Sequence, residues 1–339
     1  MKIRYIIFLF LAVMLTGCFS DFEPDIESKP VVCINANAKV GETLDIFVTR
    51  TWRWSEYRTS EDRFTNNDIS LKDAAVTLYV NDEVYAENIP FSEWTDDELW
   101  WGEEKKMLGY RTDYVPQCGD KIRIVAVSKD YGSAEGETIV PFAVDIDRIK
   151  IKSDITEIDY TGAICYTGEA SLEVFFTDPD DDMNYYMFEA SLNNDSNYPF
   201  YSTGYFDFEM EPLFTEHVSP LESIVSETYG YTLFSDRMIQ GKQYPLHIRL
   251  EGIYYTIKKD DKIDDNQSNV ALTLYSLSES YYKHVISVWQ SEDGVTGALG
   301  GVGLADQVWK CSNVSTGAGV ISAIAPSTIR VPLSRIVSE

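Results

Sequence analysis

Lys121-Ile122-Arg123-Ile124-Val125-Ala126-Val127-Ser128 alternates along its length: Ile122, Ile124 and Ala126 share one side of an extended chain, while Lys121 and Arg123 lie opposite. A period of two belongs to a β-strand, whose successive side chains point to opposite faces. The segment therefore packs on one side and meets water on the other.

The same reading carries outward. Val31 to Ala36, Leu44 to Thr49, Ala75 to Val80 and Glu137 to Pro141 are β-branched or aromatic runs bounded by turn residues. Asn81-Asp82, between Tyr79-Val80 and Glu83-Val84-Tyr85, predicts a tight hairpin turn. About seven strands over roughly 110 residues predict an immunoglobulin-like β-sandwich, placed at residues 31–143. Beyond it, Asp147 to Ile151, Ser171 to Thr177, Tyr185 to Leu192, Tyr231 to Phe234, Tyr244 to Ile253 and Val270 to Leu277 predict a second β-rich domain over 144–339.

One segment breaks the pattern. Ser278 to Gln290 places Tyr281, Tyr282, Val285, Val288 and Trp289 at helical spacing, with Ser280, Lys283, His284, Ser287 and Gln290 opposite. The Gly-rich tail, Gly294 to Gly303 and then Gly317 and Gly319, predicts a loop, a close-packed strand and a final strand. The expected fold is all-β with a single amphipathic helix against a sheet.

The composition narrows the function classes. Across 339 residues, 28 Lys plus Arg face 55 Asp plus Glu, a formal charge of −27. Such an excess repels phosphate backbones and anionic headgroups, which excludes nucleic acid and electrostatic membrane binding. Hydrophobic residues at 44% and aromatic ones at 13% supply a core and exclude a disordered chain.

The N-terminus places the protein. Met1-Lys2-Ile3-Arg4 precedes an apolar run from Tyr5 to Leu15, a secretory signal too short for a comfortable membrane span. Leu15-Thr16-Gly17-Cys18 resembles the lipobox of bacterial lipoproteins, which implies cleavage after residue 17 and acylation of Cys18. Several acyl chains on one residue anchor stably where one would not. Removing residues 1–17 brings the formal charge to −29. Residues 18–30 are acidic, Pro-containing and aperiodic, as a tether would be. Ser20-Asp21 with Glu23 resembles an outer-membrane surface-export tag, and Phe19 is not the Asp of inner-membrane retention.

Candidate binding residues lie in two polar stretches of the first domain. Thr51 to Ser70 and Phe91 to Met107 hold Trp52, Trp54, Trp94, Trp100 and Trp101, five of the seven tryptophans. Read as long loops, they offer an aromatic platform for a glycan, a peptide or a partner protein. The structural alternative is that the rings fold the loops onto the sandwich or meet the second domain.

Catalytic signatures are sparse. The chain carries no Gly-x-Ser-x-Gly elbow, zinc helix, phosphate loop or Cys-x-x-Cys pair. Its histidines are His217, His247 and His284, the last flanked by Ser280 and Ser287. Asp178, Asp180, Asp182 and Asn184, with Glu189 beyond, imitate the oxygen spacing of a calcium loop. Met183 stands where glycine would permit the turn, and Glu189 falls in a strand pattern, so a solvated acidic turn is the plainer reading. No cofactor is called for. Cys33, Cys118, Cys165 and Cys311 allow Cys33 to pair with Cys118 and Cys165 with Cys311 if the domain boundary governs. Buried free thiols are the equal alternative.

Leu71 to Tyr79, Gly119-Asp120-Lys121-Ile122 and Thr138 to Pro141 resemble the first half of domain-of-unknown-function family 4249. Val174 to Pro179, Asn184-Tyr185-Tyr186, Leu233 to Asp236, Gly241-Lys242, Leu277-Ser278 with Tyr281-Tyr282, Ser312-Asn313-Val314 and Gly317 to Gly319 follow in that family's order. Cys118 departs from the pattern, where a Pro often stands. The resemblance implies an outer-membrane lipoprotein encoded beside TonB-dependent receptors and supplies no catalytic residues. The expected function is a surface-tethered, non-catalytic binding or accessory component of nutrient uptake. A carboxylate-dependent extracellular hydrolase and a structural or adhesion component are the alternatives.

Overall fold

A computed structural model describes residues 29–51, 69–96, 105–180, 182–193, 202–208, 211–215, 232–259, 261–266, 268–292 and 309–338. Cys18, Trp52, Trp54, Trp100 and Trp101 lie outside the described residues.

The fold is all-β. In chain order the strands are β1 (Val32–Lys39), β2 (Asp45–Arg50), β3 (Ala75–Val80), β4 (Glu83–Ala86), β5 (Phe91–Asp96), β6 (Lys105–Arg111), β7 (Lys121–Ser128), β8 (Gly132–Ile139), β9 (Ile146–Tyr160), β10 (Ala163–Thr177), β11 (Tyr185–Asn193), β12 (Ser202–Asp207), β13 (Leu233–Ser235), β14 (Gln243–Lys258) and β15 (Asn269–Leu277). Helix α1 (Glu279–Glu292), β16 (Val314–Ser315), β17 (Ala318–Pro332) and α2 (Leu333–Ser338) complete the chain.

Three sheets form. Eight strands run in the order β13-β11-β15-β17-β1-β2-β6-β5, four in the order β12-β14-β10-β9, and five in the order β16-β8-β7-β3-β4. The alternation in β7 holds as expected: Ile122, Ile124 and Ala126 are fully buried. They face Val32, Ile34, Ile46 and Val48 across a first core. The predicted hairpin at Asn81-Asp82 forms with positive φ at both residues, 53° and 66°, and pairs Val80 with Glu83.

Phe91 to Met107, expected as a loop, instead contains a hairpin limb. Phe91 pairs with Tyr110 and Trp94 with Met107 across β5 and β6. The polar residues concealed the strand because β5 ends the sheet, where one edge has no neighbour to demand an apolar pattern.

A second core lies between β11 and β15 on one side and β10 and β14 on the other, with Phe176, Tyr186, Phe188, Phe234, Leu246 and Leu272 at its centre. The sequence boundary at residue 143 separates the stretches supplying most of each core, but the chain returns. The first core also takes Val314, Ile321 and Ala323. β17 joins both: its first half pairs in parallel with β1 from Cys33↔Ala318 to Lys39↔Ile324, and its second half pairs antiparallel with β15 from Leu277↔Ile324 to Asn269↔Pro332. The tail expected as two strands is thus one 15-residue strand after the two-residue β16. The described strands all belong to one unit, Val31–Thr51 with Thr65–Glu339.

Gly319 explains why the parallel pairing is so close. Its φ is +105°, and a Cβ there would stand 2.1 Å from the Ile34 carbonyl oxygen. Helix α1 packs Tyr281, Tyr282, Val285 and Ile286 against Leu277, Ile324 and Met187, which lie on the sheet face opposite the cores. The amphipathic reading of this segment therefore holds, and no described helix is long and apolar enough to cross a membrane.

Candidate functional site

The described part of the Trp-bearing region is the open end of the eight-stranded sheet. Tyr110 of β6 is buried in the first core, so its neighbours Gly109 and Arg111 turn to the other face. There the Trp94 indole lies 5.9 Å from the Phe47 ring, and the Arg111 guanidinium carbon sits 4.6 Å from the indole centroid. Asp45 holds that guanidinium at two points, Nε to Oδ1 at 3.1 Å and Nη2 to Oδ2 at 3.4 Å. Any side chain at position 109 would meet the Ile46 carbonyl at 2.8 Å and the indole at 3.3 Å, which is why glycine lies beneath the ring. Asp45, Arg111, Trp94 and Phe47 thus form a fixed rung. β2 ends at Arg50 and β5 at Asp96, and Trp52, Trp54, Trp100 and Trp101 follow these strands in the sequence, outside the described residues.

The residues of the imagined calcium loop are dispersed into other roles. Asp178 is buried; its Oδ1 accepts the Tyr186 hydroxyl at 2.6 Å and its Oδ2 the Gly241 N–H at 2.9 Å. Asn184 gives its backbone N–H to Asp236 Oδ2 at 2.8 Å and its side-chain amide to the Asp182 carbonyl at 2.9 Å. Glu189 sits in β11 and accepts the Tyr275 hydroxyl at 2.8 Å, so the spacing that imitated a twelve-residue loop is not realised. A strand extends the chain where a calcium loop must curl. Among the described residues, no three acidic or metal-ligating side chains converge. Asp236, which the sequence reading did not single out as a site, is fully buried.

The four cysteines form no disulfide in the structure. Cys33 points away from the first core because Val32 and Ile34 beside it point in, and burial pushes its thiol pKa up. Cys118 stands in the turn before β7, Cys165 is buried in β10, and Cys311 lies beside α1. The proposed pairing of Cys33 with Cys118 and Cys165 with Cys311 is replaced by the free-thiol alternative.

The Ser and His cluster on α1 is structural. His284 Nδ1 lies 2.8 Å from the Cys311 carbonyl, while the Ser287 hydroxyl receives the Cys311 N–H at 2.7 Å and donates to the His284 carbonyl. Ser280 donates to the Ile321 carbonyl at 2.9 Å. Expected on a wet face, Ser287 is buried because the returning chain crosses it. Asn313 works similarly: its amide reaches the Glu137 and Ile321 carbonyls, and its Oδ1 accepts the Ile321 N–H at 2.9 Å.

A family model described as Domain of unknown function (DUF4249) matches residues 20–330. The chain belongs to that family. No curated protein and no solved structure matches it. In this DUF4249 chain the motifs that carried the resemblance meet in space. Asp178 contacts Tyr186 and Gly241, Asp236 contacts Asn184, and Ser278 receives the N–H of Ala323 and of Tyr281. These residues satisfy backbone groups where strands and turns cross.

Proposed function

We propose that this DUF4249 protein is an outer-membrane lipoprotein, anchored through Cys18, that binds a glycan, a peptide or a TonB-dependent receptor through its Trp-bearing stretches. The observation that carries the reading is the rung of Trp94, Arg111 and Asp45, built on β2, β5 and β6, the strands that adjoin the two stretches in the chain. A planar ion pair stacked on an indole is a rigid base, and rigid bases suit contacts that loops make with a partner. The Leu15 to Cys18 segment supports the anchoring. On this reading the acidic body stays hydrated and clear of the anionic surface while acyl chains hold it.

Two experiments test it. Cys18→Ala should abolish incorporation of labelled palmitate and release the protein from the membrane fraction; unchanged fractionation would overturn the anchor. The mature form should co-purify with an outer-membrane receptor or be retained by a nutrient polymer, and Trp100→Ala with Trp101→Ala should weaken that retention at least tenfold. Retention unaffected by the double variant would remove these rings from the proposal.

A further inference from the structure

The strands that end the three sheets are of two kinds. Five are short: β13 has three residues, β5 six, β12 six, β16 two and β4 four. A short edge offers few unpaired backbone groups to another chain. The sixth is β9, which runs for 15 residues, with β10 on one side and no strand on the other. Among the described residues, its backbone makes no hydrogen bond to a segment other than β10. Alternate N–H and C=O groups along its outer side are therefore open.

The side chains of β9 say what fits that edge. Ile149 is buried in the second core, and Ile151 and Ile155 pack against it, so the even-numbered side chains face water. On this wet face Arg148, Lys150 and Lys152 fill the first half, and Asp154 opens the second. Lys150 has a partner in its own sheet, Glu173 at 3.2 Å. The two central charges have none: Lys152 lies across from Ser171 and Asp154 from Glu169, a like charge. Neither forms an ion pair among the described residues. Asp147 stands at a bulge and accepts the Thr177 hydroxyl and the Gln243 amide, which turns it toward its own sheet. Charges blunt an edge when a second copy brings like against like. Here the signs are segregated along a strand without proline, so a second copy running the other way brings opposite charges together.

One register satisfies both faces. Residues opposite each other in an antiparallel pair share a face, so an even-numbered side chain meets an even-numbered one. A two-fold axis through Ser153 sets Lys152 opposite Asp154, and Ile151 opposite Ile155 on the core side, each pair occurring twice. An axis through Ile151 or Lys152 sets lysine against lysine, and one through Asp154 sets that carboxylate against itself. Helix α2 lies on the core side, where the Ser153 hydroxyl donates to the Ile336 carbonyl, and leaves the wet face clear. We propose that β9 pairs antiparallel with β9 of a second copy of this chain, centred on Ser153, and joins two four-stranded sheets into one continuous sheet.

The test is sedimentation equilibrium of the mature chain in density-matched detergent. The wild type should be a dimer at about 50 µM chain. Lys152→Glu and Asp154→Lys change exposed side chains, and each puts two like-charge pairs where two opposite-charge pairs stood. Each alone should weaken dimerisation by about tenfold or more. The first makes the chain more acidic and the second less, so a general effect of net charge cannot produce both losses. Both changes in one chain should restore the affinity to within about threefold of wild type. Mixing the two single variants should yield a heterodimer, in which every facing pair is again of opposite sign. A monomeric wild type, a dimer that neither single change weakens, or a double variant that stays as weak as the single ones would overturn the pairing.

Discussion

Tyr110 shows how much one hydroxyl can hold. Its ring closes the first core, and its oxygen donates to the Leu71 carbonyl while accepting the Ala74 N–H at 3.0 Å. Tyr110→Phe leaves both backbone groups buried without that partner, so urea unfolding should show a loss of about 1–3 kcal/mol. Asp120 is a second such residue. Burial alone would raise its pKa, but hydrogen bonds from the Tyr114 hydroxyl, the Asn81 amide and the Gln117 N–H outweigh it and lower the value. Its contribution is therefore complete above the unfolded pKa of about 3.9 and is lost as pH falls through the lower folded value. The difference in urea midpoint between wild type and Asp120→Ala should be largest near neutral pH and shrink in strong acid; a difference that grows in acid would contradict this sign. Asn81 and Gly119-Asp120 were legible in sequence as turn residues. That they bond to one another was not, because 39 residues separate Asn81 from Asp120.

At the scale of elements, helix α1 was legible from its period, and its start can be explained by one serine. The Ser278 hydroxyl accepts the Tyr281 N–H at 3.3 Å in the manner of a helix cap, and also the Ala323 N–H at 2.9 Å from β17. Ser278→Ala should cost about 1 kcal/mol for the cap and more for the stranded amide of a buried strand, measured by urea denaturation. Faster hydrogen exchange at Ala323 should accompany it. Strand β5 was illegible because Phe91 to Asp96 lies at a sheet end and its outward indole is covered by a charged partner, Arg111. Alternation cannot report a face that is packed by an ion pair.

For the whole molecule, the decisive feature is that β17 serves two cores. A fragment spanning residues 31–143 lacks Val314, Ile321 and Ala323 of the first core and the strand that pairs with β1. It should be soluble at best as a non-cooperative collapsed state, without the near-ultraviolet dichroism of the full chain. Adding residues 312–332 through a linker should restore cooperative unfolding, and a cooperative transition in the fragment alone would refute the shared core. The all-β class, the helix, the hairpin at Asn81-Asp82 and the family likeness were determined by the sequence alone, because each rests on periods or motifs a few residues long. The free thiols, the buried Asp236, the hairpin limb β5 and the return of the C-terminal strand into the first core were decided only by tertiary structure. Each depends on which distant segments share a face, and local side-chain alternation carries no information about a partner 285 residues away, the separation at which Asn35 meets Val320.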